Sequence, residues 1–416
     1  MLFLYNISIY LYTLFIRIAS IGNSKAAAWI KGRKGLMELI ESSLDKNKRY
    51  IWFHFASLGE FEQGRPVLER LKSENSKLPI IITFFSPSGY EVRKTYALAD
   101  HVFYLPVDTR SNAREFVQLL NPQMAFFTKY EYWFYYFDEL YKKKIPLYLI
   151  SGIFRTNQIF FKWYGGLHRK ILGKVSYFFV QNEISKTLLN DLGFHNVSVS
   201  GDTRFDRVVF NASEAKELKL IRNFTLGKKV FVAGSTWAID EKLLVRLCIS
   251  SPEWKFIIAP HEVNSSRIRE VAERFPNAVR YSVLNQATID SPEDQNTDSD
   301  VQVLILDTMG ILSTVYQYGD IAYIGGGFGL GLHNTLEAAA FGLPVIFGPN
   351  YQKFNEAIDL IDHGAAFSIK NQEEFEKCME TLKVEATRKE SGKAALEYVN
   401  QQTGATEAIL NFIRKA

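Results

Sequence analysis

The sequence predicts an α/β protein of two doubly wound domains facing a cleft, preceded by an apolar N-terminal helix. Three observations predict it. Short apolar or β-branched runs alternate with helical-period segments, the pattern of parallel sheet built from right-handed crossover units. The alternation stops near Asp206, at the charged stretch SEAKELKLIRNF, and then begins again. Residues 1–16, MLFLYNISIYLYTLFI, contain no Asp, Glu, Lys, Arg or His.

The apolar start is short for a full span, which takes about 20 residues. Arg17 interrupts it, and Lys25, Lys31, Arg33 and Lys34 follow. A cleaved signal peptide carries its positive charge before the apolar run, so that reading fits poorly. Two membrane readings remain: one span with a basic cytoplasmic flank, or a helix lying in the interface with its basic residues on anionic head groups. A buried core helix is the alternative, and it explains the basic cluster less well. The expected organisation is an anchor at 1–22, a first Rossmann-like domain at 23–208 and a second at 209–416.

Strands are expected at YIWFHFAS (50–57), PIIITFF (79–85), MAFFTK (124–129), PLYLIS (146–151) and YFFVQ (177–181). SEAKELKLIRNF reads as a helical connector. The second series is KVFVAGS (229–235), KFIIAP (255–260), VQVLIL (301–306), DIAYIGG (320–326) and PVIFG (344–348). Ligands of such sheets bind outside the carboxyl ends of the strands. The segment 287–300 reads as a polar surface loop. Its Asp298-Ser299-Asp300 is taken as a solvated turn, not a metal-binding D-x-D.

Composition narrows the function. The 416 residues carry a net charge of +4 and no long basic run, which argues against nucleic acid as a partner. Two distant cysteines give neither a disulfide framework nor a zinc spacing, so a reducing compartment fits. Aromatic residues reach 14%, which core packing and a membrane-facing surface explain before sugar stacking does.

The strongest local signal is GGGFGLGLHNTLEAAAFGLPVIFGP, residues 325–349. Its glycines allow close backbone approach and positive φ. Asn334 and Thr335 are good caps for a helix over 336–341, and a helix N-terminus is a ready anion site. Glu337 reads either as a first-turn acid or as an acceptor for ribose hydroxyls. The loop lacks the Lys-Ser/Thr of a P-loop, which argues against an NTPase. Gly234, Ser235 and Thr236 follow one strand and His261 the next, where His261 reads equally as a capping residue. In the first half, Ser57, Gly59 and Glu60 follow a strand at HFASLGEFEQG. A carboxylate there can serve as a general base, although chemistry alone does not separate Glu60 from Glu62. Ser86, Ser88 and Gly89 end the next strand, and Glu131 lies among aromatics in TKYEYWFYY.

Taken in order, FHFASLGE, ITFFSPSGYE, HVFYLPVD, the Glu131 block, QNE, GDTRFD, GST, LDTMGIL and the Gly-rich block resemble the Kdo (3-deoxy-D-manno-octulosonic acid) transferases of lipopolysaccharide assembly. The resemblance implies a GT-B fold and an inverting glycosyltransferase that needs no cofactor or metal. It implies CMP-Kdo as donor, lipid IV-A, a lipid A precursor, as acceptor, and a place on the cytoplasmic face of the inner membrane. It puts the proposed base on Glu60 and the family's second glutamate on Glu131. Nucleotide contacts fall on Gly326, His333, Asn334 and Glu337, with Met309 and Gly310 in the LDTMG block. Helix termini at Ser235–Thr236 and Asn334–Thr335, with Arg204, are expected to meet the departing phosphate. The chain reads APHE where the family usually has APRH, so His261 stands where an arginine is expected. The alternatives are a GT-B enzyme using a UDP-sugar, or a non-catalytic nucleotide-sugar binding module.

Overall fold

A computed structural model describes residues 2–129, 131–290, 301–329 and 331–415. Asp298-Ser299-Asp300 lies outside these residues. The expected loop from 287 begins differently, because a helix runs Tyr281–Asp290.

The chain forms two compact units, Met1–Asp206 with Thr403–Ala416, and Arg207–Gln402. The first holds seven parallel strands: β1 Ile51–Phe55, β2 Ile80–Phe84, β3 His101–Tyr104, β4 Met124–Thr128, β5 Leu147–Gly152, β6 Tyr177–Val180 and β7 Val197–Val199. Their spatial order is β3-β2-β1-β4-β5-β6-β7. The order reverses between β1 and β4, and the two pair in register from Ile51↔Met124 to His54↔Phe127. Every residue of β1 is buried, because both sheet faces are covered. Trp52 packs into the core on one face, Phe53 and Phe55 into that on the other.

The second unit holds β8 Lys229–Thr236, β9 Trp254–Pro260, β10 Ala278–Arg280, β11 Val303–Ile305, β12 Ile321–Ile324, β13 Val345–Phe347 and β14 Ala366–Ser368. Their order is β10-β11-β9-β8-β12-β13-β14, and the reversal falls between β8 and β12. The ten expected strands are present. β3, β7, β10 and β14 are additional, each of three or four residues.

Two expectations need correction. The last residues do not stay with the second unit: the helix Ala405–Ile413 buries Ile409 and Leu410 in a core of the first. Phe412 lies 3.9 Å, ring centre to centre, from Tyr177. Asp206 fixes this return by accepting the Gly404 and Thr406 N–H groups, each at 2.6 Å. The connector is not one helix either. It breaks between Ser213 and Lys219, where Leu218 N–H donates to the Tyr318 hydroxyl at 2.6 Å.

The N-terminal helix is Leu2–Ala19, and none of its described residues is buried. Phe3 is 73% exposed and Phe15 66%, so it is no core helix. Its length and apolar character suffice to cross a membrane. This exposed apolar surface is compatible with membrane association. Arg33 does not join the basic flank. It stacks on Trp29 with its guanidinium carbon 3.9 Å from the ring centre, and donates to the carbonyls of Phe85 (2.8 Å) and Leu105 (2.9 Å). Burial pulls its pKa down to about 9.

Candidate functional site

In the first unit the candidate residues gather at the carboxyl ends of three adjacent strands, β2, β1 and β4. After β1 the chain turns into the helix Leu58–Glu74 with Ser57 as N-cap. Ser57 caps no backbone N–H. Its hydroxyl donates instead to Glu60 in a short hydrogen bond. Gly59 is not required by packing, since a Cβ there meets only Ser57 Oγ at 3.8 Å. The two glutamates that chemistry alone did not separate differ in their pairing. Glu62 is committed to Arg93 at 2.8 Å and Arg65 at 3.4 Å, so Glu60 is the candidate base.

Ser86 N–H donates to Ala56 O at 2.8 Å, which ties the β2 turn to the β1 turn. Ser86 and Ser88 share a hydroxyl hydrogen bond of 2.7 Å. Gly89 serves packing, since a Cβ would lie 2.3 Å from the Phe84 ring. Glu131 follows β4 and accepts from Trp133 Nε1 at 2.9 Å. Its Oε2 also lies 3.2 Å from Nε2 of His54, a fully buried residue of β1 that sequence reasoning passed over. Arg204 is committed in part within the first unit, where its guanidinium pairs with Asp202 at 2.8 and 2.9 Å. Burial pushes the Asp202 carboxyl up, but Arg204 and Lys129 outweigh it and hold the group below the usual range.

In the second unit the candidates sit at the carboxyl ends of β11, β9, β8 and β12, again neighbours. Thr236 is buried and its hydroxyl donates to Glu241 at 3.0 Å, so it serves the fold. Glu241 is itself buried and paired with Arg267 and Arg274. Gly234 also answers to packing, with the Tyr316 hydroxyl 2.1 Å from where a Cβ would stand. Ser235 holds a left-handed φ of 55°, and the next helix starts only at Ala238. Met309 is 74% exposed beside Gly310, whose φ is 89°.

The Gly-rich loop packs backbone on backbone. A Cβ at Gly325 would lie 2.2 Å from Ser235 O, and one at Gly327 2.6 Å from Gly348 N. Asp240, also missed in the sequence, pins this loop. Buried, it accepts Tyr323 O–H at 2.6 Å, Trp237 N–H at 2.9 Å and Gly326 N–H at 3.2 Å. The helix expected over 336–341 is only Leu336–Ala339, so its dipole contributes little as an anion site. Asn334 accepts Leu336 N–H at 3.1 Å and donates to Glu337 at 3.0 Å.

The rings of Trp237, His261 and His333 stack in series, with centroids 4.6 and 4.3 Å apart. Trp237 Nε1–H donates to His333 Nε2 at 3.3 Å, which leaves the neutral His333 its proton on Nδ1. Burial, and then His261, pull the His333 pKa down to about 4. Near neutral pH His333 is therefore an uncharged ring with an N–H dipole. Among the described residues, no group of three or more His, Cys, Asp or Glu is arranged to hold a metal.

Residues 30–207 match the family model described as 3-deoxy-D-manno-octulosonic-acid transferase (kdotransferase). The 3-deoxy-D-manno-octulosonic acid transferase of Aquifex aeolicus is 28% identical over 345 residues, 80% of this chain and 86% of that protein. A bifunctional glycosyltransferase/methyltransferase of Fusobacterium nucleatum is 26% identical over 82% of this chain, and the chain spans 53% of that relative's length. The crystal structure of UDP-GlcNAc 2-epimerase from Neisseria meningitidis bound to UDP-GlcNAc has a TM-score of 0.62 at 16% identity, covering 88% of this chain and all of that one. This last likeness is one of fold, the GT-B type. The family match spans the turns that carry Glu60 and Glu131 and the strands that place them, and beyond it the chain stays similar to Kdo transferases, which are glycosyltransferases, over most of its length.

Proposed function

We propose that this chain moves Kdo from CMP-Kdo to a hydroxyl of lipid IV-A, in lipopolysaccharide assembly at the cytoplasmic face of the inner membrane. Glu60 takes the proton of the acceptor hydroxyl. The oxygen attacks the anomeric carbon of Kdo as the bond from that carbon to the CMP phosphate oxygen breaks. The electron pair leaves with CMP, and configuration inverts. Charge growing on the phosphate is met by fixed dipoles and not by a metal. In the second unit the donors proposed for this are the rings of His261 and His333 with the backbone of the Gly-rich loop.

One observation carries the reading. Within the residues of the family match Glu62 is tied to two arginines, while Glu60 accepts from its own N-cap serine at the carboxyl end of β1. A base must keep a carboxylate oxygen for the substrate, and Glu60 is the one of the pair free of arginine in that role. The acceptor is an acylated lipid, and the exposed apolar helix Leu2–Ala19 supports delivery of the site to a bilayer surface.

The test is the nucleotide. CMP should raise the melting temperature and UDP should not. A shift with UDP alone would favour the UDP-sugar alternative, and a shift with CMP but no Kdo transfer would favour a binding module.

A further inference from the structure

We propose that His54 is a positioning residue for Glu131, fixing the carboxylate through an Nε2–H hydrogen bond. The proposal rests on the reading of Glu131 as part of the transfer site.

His54 lies in the middle of β1, fully buried, between Phe53 and Phe55. A buried imidazole needs partners for both nitrogens. Nδ1 lies 2.8 Å from Thr83 Oγ1 on β2, and Nε2 lies 3.2 Å from Glu131 Oε2 beyond β4. One ring thus links three adjacent strands.

The proton positions follow from the neighbours. Trp52 Nε1 can only donate, and it gives its hydrogen to Thr83 Oγ1 at 2.8 Å. The Thr83 hydroxyl hydrogen then has two acceptors, His54 Nδ1 at 2.8 Å and Phe53 O at 3.4 Å. Thr83 Oγ1 can also accept from an Nδ1–H, so what decides is Glu131, whose carboxylate only accepts and requires the hydrogen on Nε2. His54 Nδ1 is therefore an acceptor, and the proton of the neutral ring sits on Nε2, facing Glu131. Trp133 Nε1–H reaches the same carboxylate oxygen at 2.9 Å. Two N–H donors from different elements hold Oε2 and fix the plane of the group. An apolar side chain, as at Phe53 and Phe55, would fill the His54 site without any polar group to satisfy.

The experiment compares His54→Gln with His54→Asn in Kdo transfer by the full chain. Gln can set an amide N–H where Nε2 stands, whereas Asn reaches only toward Thr83. His54→Asn should lower kcat about tenfold or more with little change in the KM for donor, since small misplacements of a reacting group are expensive. His54→Gln should recover most of that loss. In a Glu131→Gln background His54→Asn should add nothing further. Equal losses in both variants that track melting temperature, or an additive loss in the double variant, would overturn the role. Nitrogen-15 spectra of the wild-type protein keep the test alive if the variants do not fold: they should show the Nε2–H tautomer, and the Nδ1–H form would overturn the proposal. Full transfer by Glu131→Gln alone would instead overturn the reading of Glu131, whatever His54 does.

Discussion

The Tyr5 hydroxyl, on the exposed N-terminal helix, donates to the buried carboxylate of Asp108 in a short hydrogen bond. Asp108 also accepts the N–H groups of Tyr135 and Tyr136, each at 3.1 Å, and Asn6 accepts the Tyr135 hydroxyl at 2.6 Å. The helix therefore turns polar groups toward the protein and an apolar face outward. That is the reverse of a surface helix in water, and it is what a helix lying in a membrane interface needs.

The two faces of this helix should separate by mutation. Replacing Phe3, Leu4, Leu14 and Phe15 with Ser should move the protein into the soluble fraction and leave its melting temperature near that of wild type. Deleting residues 1–22 should also release it, but should lower the melting temperature, because Asp108 loses Tyr5. Detergent-solubilised acceptor should remain a good substrate for the outward-face variant. Retention of that variant on membranes would refute the in-plane reading.

Tyr5→Phe tests the inward face and its pH dependence. Burial pushes Asp108 up to about 6, although Tyr5 and the backbone donors oppose the shift. A carboxyl raised in the folded state contributes stability at low pH that is lost as pH rises through that value. Removing Tyr5 takes away a donor to the ionised form, a bond worth about 1.5–3 kcal/mol. The variant should therefore trail wild type more at about pH 7.5 than at about pH 4.5, by differential melting. Equal deficits at both would show that Tyr5 does not sense the charge.

Much of this architecture was legible in the chain. The ten long apolar runs are strands, and the catalytic candidates sit at carboxyl ends beside the reversals of strand order. What escaped depends on partners far apart in sequence. His54 reads as one more residue of an apolar run until Thr83 and Glu131 are brought to it. Asp240 reads as a first-turn acid until Tyr323 and Gly326 reach it. Arg204 reads as a free cation until its pairing with Asp202 is seen. The short strands β7, β10 and β14 carry too few residues for a period, and the return of Ile409 and Leu410 to the first unit has no local signature.

Glu60→Gln keeps the shape of the side chain and its bond from Ser57 while removing the base. General-base catalysis contributes roughly 10²–10⁴-fold, so kcat should fall by that range with CMP binding retained. Glu62→Gln is the control. It loosens the pairing with Arg93 and Arg65, and should lower melting temperature more than turnover. Near-normal turnover by folded Glu60→Gln would remove Glu60 from the mechanism.

The nucleotide site can be tested at Glu337 without measuring transfer. Glu337 is held by Asn334 Nδ2 at 3.0 Å in the first turn of a helix too short to offer much dipole. If its carboxylate accepts ribose hydroxyls, Glu337→Ala should weaken CMP binding by about 1.5–3 kcal/mol, the usual loss for hydrogen bonds to a charged group. Asn334→Ala should weaken it less, because Glu337 stays but is no longer oriented. His333→Asn separates the neighbouring ring. With its pKa pulled down to about 4, His333 lowers stability as pH falls from about 6.5 toward that value, since the unfolded chain binds the proton first. The Asn variant should lose that part of the acid destabilisation. Unchanged CMP affinity in Glu337→Ala, measured by calorimetry, would leave Glu337 with a helix-capping role alone and shift the ribose contact elsewhere on the loop.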